Sequence, residues 1–419
     1  MNTPVQQKKN RQETGSTSPS ISFRKLDRAA EIAYYYGFTP IKTPVISRDD
    51  ISKARKITGS ESREKDFGQP GDGELKIAPE EKVALLSYCE QQKMLSSAQP
   101  AMVYSEGTPQ RSDHKKTPHG HYRRFNLDIL GTSKSVAEAE LIKVTLEILH
   151  EKGFEDLYVD INSTGDKDSS IHFTRELGQF YRKHAGELPS NCKTLVRKDP
   201  FAPLECTHEK CIELSGQAPK AVAFLSEPSR VHFKEVLEYL ESMHIPYKID
   251  NRLLGNRKVC CHTLFLIKTL NASENKDVPE EALAIGYRYN LLAKKIEIKR
   301  DVPAVGITIV FKENRGARKM SHQMKKPQVC FIQIGFEAKL KSLEVVETLR
   351  HAKIPLYQAL AKDKLSSQIQ TAENMGIPHI IIMGQKEALE GSVIVRVMKT
   401  RMQETVPLTE LAGYLKKLH

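Results

Sequence analysis

No stretch of this chain approaches the roughly 18 consecutive apolar residues that a membrane-spanning helix needs. Its first residues, MNTPVQQKKNRQETGSTSPS, lack the apolar core of a secretory signal. They are rich in Ser, Thr, Gln and Lys, so residues 1–20 read as a disordered tail. Phosphate-loop signatures are missing: there is no GxxxxGK[ST], and no GxGxxG after a strand. Any use of ATP therefore has to rest on a different fold. There is no internal repeat. Acidic residues are in deficit, 52 against 64 Lys and Arg, for a net charge of +12. That balance favours a polyanionic partner, most simply nucleic acid. Cysteines are few and odd in number, seven in all. This suits a reducing compartment, and a cytoplasmic location is expected.

With 419 residues, 39% hydrophobic and 28% charged, the chain has room for two or three ordinary globular domains. Ser22 to Gly37 reads as a helix, followed by the extended segment FTPIKTPVIS. Residues from about 49 to 73 are polar and Gly-rich and read as loop. Ser135-Val-Ala-Glu138 has capping-box spacing and opens a helix to about Gly153. LYVDIN, from Leu157, alternates like a half-buried strand. Residues from about 165 to 225 look like an irregular, polar insertion. Ser229 to His244 reads as a helix, and HTLFLI, from His262, as a strand. A highly charged stretch over 312–326 separates this part from 327–419, where strands and helices alternate. HIIIM, from His379, is apolar without alternation and suits a strand buried on both faces.

Cys206-Thr-His208-Glu-Lys-Cys211 offers three metal ligands in six residues, with Cys192 as an available fourth. Zinc sites usually use short paired spacings, and a single CxHxxC is not one of them. No metal is expected. Cys260 and Cys261 are neighbours on a strand and point to opposite faces, so packing is their default role. Arg111-Ser-Asp113 could hold a phosphate or carboxylate, although an ordinary surface ion pair would look the same.

The C-terminal run LSSQIQTAENMGIPHIIIMGQKEALEGSVIVRVMKTRMQETVPLTEL resembles the anticodon-binding domain of bacterial histidyl-tRNA synthetases. Upstream, LDRAAEIAYYYGFTPIKTPVI resembles motif 1 of the class II synthetases, ending in Pro44. Ala78-Pro79-Glu80 resembles the family's R-P-E segment, and Arg111-Ser-Asp113 its motif 2. PAVGITI, from Pro303, resembles the approach to motif 3. The resemblance covers roughly residues 21–419. It implies a class II core over 21–311, an antiparallel sheet with flanking helices, then a linker over 312–326 and an anticodon-binding-like α/β domain over 327–419. It makes Arg111 the candidate catalytic residue. Glu80, Asp113, Arg123 and Asp128 become candidates for binding ATP or amino acid, and Arg396 and Lys399 for binding tRNA. A homodimer is expected, with ATP and Mg²⁺ as requirements if the chain is active.

The departures are as informative. In the family, NRLLGNRKVCCHTLFLI would read approximately L-V-R-G-L-D-Y-Y-T-R-T-V-F-E. Here Gly255 stands where an arginine would face the ATP phosphate, Lys258 where an aspartate would stand, and Val259 and Cys260 where two tyrosines would line the imidazole pocket. G-G-G-R-Y-D becomes Ile285-Gly286-Tyr287-Arg288-Tyr289-Asn290. Glu313 falls at the motif 3 arginine, Arg315 lies two residues away, and Ala78 replaces the arginine of R-P-E. Each oriented cation lost costs about 10²–10³ in rate. The chemistry therefore favours a tRNA-binding relative whose adenylation is lost or impaired, unless Arg252, Arg257 or Arg315 enters the site from a shifted backbone. The alternative is an active ATP-dependent histidine–tRNA ligase. A further alternative, a regulatory subunit of histidine biosynthesis, fits less well, because that family generally lacks the C-terminal domain.

Overall fold

The computed structural model describes residues 28–59, 75, 78–95, 100–107, 122–269, 281–312, 327–358 and 364–418. The first part contains α1 (Arg28–Tyr35), β1 (Thr39–Pro40), α2 (Arg48–Thr58), α3 (Pro79–Gln91), β2 (Ala101–Glu106) and β3 (Tyr122–Leu130). It continues with α4 (Val136–Glu151), β4 (Leu157–Gly165), α5 (Lys167–Lys183), α6 (Ser190–Lys198), α7 (Glu209–Gln217), α8 (Glu227–Ser242) and β5 (Tyr247–Ile249). β6 (Cys261–Thr269), β7 (Glu281–Arg288), α9 (Leu292–Lys295) and β8 (Ala304–Lys312) complete it. The second part runs β9 (Val329–Gln333), α10 (Phe336–His351), β10 (Leu356–Gln358), α11 (Leu365–Asn374), β11 (His379–Met383), α12 (Gln385–Glu390), β12 (Ser392–Val397), β13 (Gln403–Pro407) and α13 (Leu408–Lys417).

The first sheet has the order β1-β2-β3-β8-β7-β6-β4-β5. Its six inner strands pair antiparallel, while β1 and β5 join the edges in parallel. The expected antiparallel core is therefore a mixed sheet at its rims. Alternation along β3 sends Phe125, Leu127 and Ile129 to one face, where they pack in one apolar cluster with residues of α1, α4 and α8. Arg124, Asn126 and Asp128 go to the other face, which α3 adjoins. The second sheet, β10-β9-β11-β12-β13, is parallel in its first three strands and antiparallel after that. β9 and β11 are buried along their whole length, as strands covered on both faces must be.

Three local readings change. Residues 48–58, expected as loop, form α2. Ser47 and Asp50 close a capping box at its start, and the helix is polar enough to read as loop. Residues 165–225, expected as irregular, are mostly helical, with α5, α6 and α7 and their own apolar cluster around Phe173, Leu177, Tyr181 and Leu214. The capping box expected at Ser135 does not form. Ser135 Oγ donates to Glu235, and Glu138 is drawn to a distant arginine. The linker expected over 312–326 lies outside the described residues, apart from the end of β8.

Candidate functional site

The face of the first sheet that carries Asp128 is shaped by α3. Pro79 starts this helix, at a position where its missing N–H costs nothing. Val83, Leu85, Leu86 and Cys89 bury the helix against the sheet, and Lys82 is carried down among them. Lys82 Nζ donates to Asp128 Oδ1 at 2.6 Å, and the Tyr289 hydroxyl donates to the same oxygen at 2.7 Å. The Lys82 and Asp128 side chains are 5% and 4% exposed. Lys82 Nζ also lies 5.6 Å from the Tyr289 ring centroid, within cation–π range. Gly306, opposite Asp128 on β8, makes the pair possible: a Cβ there would overlap the carboxylate and come within 2.8 Å of Lys82 Nζ. Burial raises the pKa of Asp128 above the usual carboxylate range, while the Lys82 ammonium and the Tyr289 hydroxyl pull it back.

Neighbouring polar groups are engaged in the same way. Thr308 Oγ1 donates to Asn126 Oδ1 at 2.8 Å. Arg124 pairs with Glu81 at 3.3 Å. Further along the face the lining becomes apolar. Val259, Cys260, Leu264, Ile285, Tyr287 and Tyr289 pack together, each buried. Between Pro44, Glu81, Lys82, Asn126 and Asp128 a recess encloses about 20 Å³. That is room for about one water at its floor, and the recess opens to solvent.

Two of the three arginines that could have compensated, Arg252 and Arg257, turn elsewhere. Arg252 Nε donates to the Leu204 carbonyl at 3.1 Å. Arg257 forms a bidentate pair with Asp199 and lies over the Phe201 ring at 3.6 Å. Both are held by the helical insertion. Lys258 Nζ donates to the Thr58 carbonyl at 3.0 Å. Arg315 lies outside the described residues.

Of the candidates read from sequence, Asp128 is buried in the Lys82 pair, and Glu80 sits half-buried in the first turn of α3. Arg111, Asp113 and the Arg123 side chain lie outside the described residues. Arg396 is on β12 between β11 and β13, paired in register with Ile380 and Gln403, and its buried Nε has no acceptor. Lys399 is exposed in the turn after β12. Both lie at the C-terminal end of β12, an inner strand of the second sheet.

Sequence reasoning missed Lys82 as a partner for Asp128. The only local sign was a lysine at the head of the apolar run VALL. It also gave Glu138 the wrong partner, reading it as a helix cap. Arg288, fully buried, donates to Glu138 through Nε at 2.7 Å and to the Thr132 carbonyl at 2.9 Å. His232 Nε2 lies 2.7 Å from the same carboxylate. Burial disfavours the Glu138 carboxylate, but Arg288 and His232 outweigh it and hold its pKa well below the usual range. Nearby His262 is pushed down to about 4 by burial and by His232.

Residues 328–418 match the anticodon binding domain family. Over nearly the whole chain, the sequence is 26% identical to a histidine–tRNA ligase of Halothermothrix orenii, across 94% of each chain. It is 24% identical to a histidine–tRNA ligase of Dehalococcoides mccartyi, across 93% of this chain and 94% of that one. Among solved structures, it is similar to the apo histidyl-tRNA synthetase of S. aureus, with 23% identity, 92% of each chain covered and a TM-score of 0.48. It is also similar to the enzyme of Nostoc sp. PCC 7120, with 17% identity, 93% of this chain and 94% of that one covered, and a TM-score of 0.41.

Proposed function

We propose, from the premise that this chain is a class II histidyl-tRNA synthetase-like protein, that it acts on tRNA with its adenylation chemistry lost or strongly impaired. The observation that carries this reading is the state of the described cations around the Asp128 face. Adenylation needs positive charge held around a triphosphate while a carboxylate attacks the α-phosphorus. Lys82 is neutralised by Asp128 and Arg124 by Glu81. Arg252, Arg257 and Lys258 are committed to the insertion and to α2. Tyr287 and its apolar neighbours occupy the adjoining surface, where the family resemblance puts an imidazole pocket.

tRNA is the partner favoured by the anticodon binding domain and by the net charge of +12. A homodimer follows from the motif 1 resemblance, in which the segment ending at Pro44 builds the interface. Val45, next to it, is 57% exposed in the single chain. The odd count of seven cysteines fits a reducing, cytoplasmic setting.

The test is histidine-dependent ATP–pyrophosphate exchange with the purified chain and Mg²⁺. The expected result is no exchange above an Arg111→Ala control, with tRNA still retained on a filter. Clear exchange above that control would establish an active ATP-dependent histidine–tRNA ligase and overturn the proposal.

A further inference from the structure

The helical insertion brings together three cysteine sulfurs, with a histidine beside two of them, from residues that the sequence scatters over twenty positions. Cys192 lies in α6, Cys206 follows the short helical turn Ala202–Glu205, His208 is the residue that precedes α7, and Cys211 lies in the first turn of α7. The sulfurs of Cys192, Cys206 and Cys211 all lie within 4.8 Å of one another. Cys192 Sγ and Cys206 Sγ are 3.6 Å apart. His208 Nδ1 is 3.0 Å from Cys206 Sγ and 3.8 Å from Cys192 Sγ. A tetrahedral zinc with Zn–S bonds near 2.3 Å sets its ligand atoms about 3.8 Å apart. The Cys192–Cys206 and Cys192–His208 separations match that value, the Cys206–His208 one is shorter, and the group mutually within 4.8 Å comprises the three sulfurs without His208.

We infer that Cys192, Cys206, Cys211 and His208 form a structural zinc site. Two competing readings of the cysteines account for less. As core fillers they should all be buried, yet Cys206 is half-exposed and His208 is exposed. As a disulfide, one pair would have to close to about 2.0 Å, and the third thiol and the imidazole would be left unexplained. The donor set is soft, three thiolates and one imidazole, and that combination selects zinc over the hard cations. The His208 backbone N–H points at Cys206 Sγ at 3.5 Å, the kind of outer contact that orients a metal thiolate. With four protein ligands the site is closed, so its role is to hold structure.

What it would hold is the approach to β6. Arg252 donates to the carbonyls of Leu204 and Cys206, and Arg257 pairs with Asp199 beside the Phe201 ring. The metal would tie α6 to α7 and so fix the surface that grips both arginines. The proposal does not depend on whether adenylation survives.

The experiment uses the full chain, produced with zinc in the medium and purified with reductant and without chelator. One zinc per chain by plasma mass spectrometry is expected. After zinc is stripped and Co²⁺ added, thiolate charge-transfer and tetrahedral d–d bands should appear and vanish when zinc is restored. Cys206→Ser and His208→Ala, both at the surface, should each lose most of the bound zinc, while Cys330→Ala, in the other sheet, should keep it. Substoichiometric zinc with all seven thiols free, or a disulfide found by intact mass, would overturn the inference. So would zinc retained in full by both ligand variants.

Discussion

Replacing Lys82 with methionine keeps the length of the side chain and deletes its charge. Asp128 would then stand 4% exposed, with the Tyr289 hydroxyl at 2.7 Å as its remaining donor. Breaking a buried ion pair by removing one member costs about 3–5 kcal/mol. The carboxyl has an escape, because it can take up a proton instead. Protonation from an ordinary aspartate pKa costs 1.36 kcal/mol per pH unit, about 4 kcal/mol at pH 7 and between about 1 and 2 at pH 5. Burial already raises the pKa of Asp128, and losing Lys82 raises it further. A raised acid binds its proton more tightly in the folded state, so stability is intact below the ordinary pKa and is lost as pH rises. The expected destabilisation of Lys82→Met is therefore about 3–4 kcal/mol at pH 7 and less than half of that at pH 5, read from urea midpoints with a common slope. Lys82→Met/Asp128→Asn, which has no carboxylate to bury, should lose this pH dependence. Equal costs at the two pH values, or a cost under about 1 kcal/mol at pH 7, would refute the reasoning.

Other substitutions test the remaining parts. Arg288→Met leaves Glu138 buried without its main partner and should cost about 3–5 kcal/mol near neutrality. Because the folded pKa of Glu138 is depressed, that cost should shrink as pH falls through the ordinary glutamate range, which a urea series in acid checks. Glu140 is the reverse case. Burial pushes its pKa up to about 8, with Gln358 as a hydrogen-bond donor and Oε2 left without one. Glu140→Gln should raise the melting temperature, with a gain that grows between about pH 5 and 8 and is flat above; a gain independent of pH would count against it. Arg396→Glu with Lys399→Glu should weaken tRNA retention on filters at moderate salt and flatten its salt dependence. Unchanged binding would move the tRNA surface elsewhere.

The sequence was most legible where one face of an element decides its fate. α4, α8, β9 and β11 follow their apolar patterns to within a few residues. α2 was hidden because only Asp50 and Ala54 are buried in it, so no stripe stood out. The insertion did carry a signal, since Phe173, Leu177 and Tyr181 recur at helical spacing, but its polar remainder obscured it. Pairings were the least legible part. Lys82 meets Asp128 across 46 residues and Arg288 meets Glu138 across 150, and nothing in either local pattern names the partner. The same holds for the cysteines of the insertion, whose spacing becomes a cluster only when α6 and α7 fold against each other.

One apolar cluster runs from Ala29 in α1 through Leu141 in α4 and Val236 in α8 to Val346 in α10 and Leu415 in α13. Polar ties cross the same joint: Lys143 to Glu347 at 2.7 Å, Arg350 to Glu147 at 2.5 Å, and Gln358 to Glu140 at 3.1 Å. The two sheets thus share an interior, and a chain cut within 313–326 would leave each fragment with a raw, water-averse flank. This joint lies on the side of the first sheet opposite Asp128. Substitutions on the Asp128 face therefore leave this joint, and with it the packing of one sheet's helices on the other's, untouched.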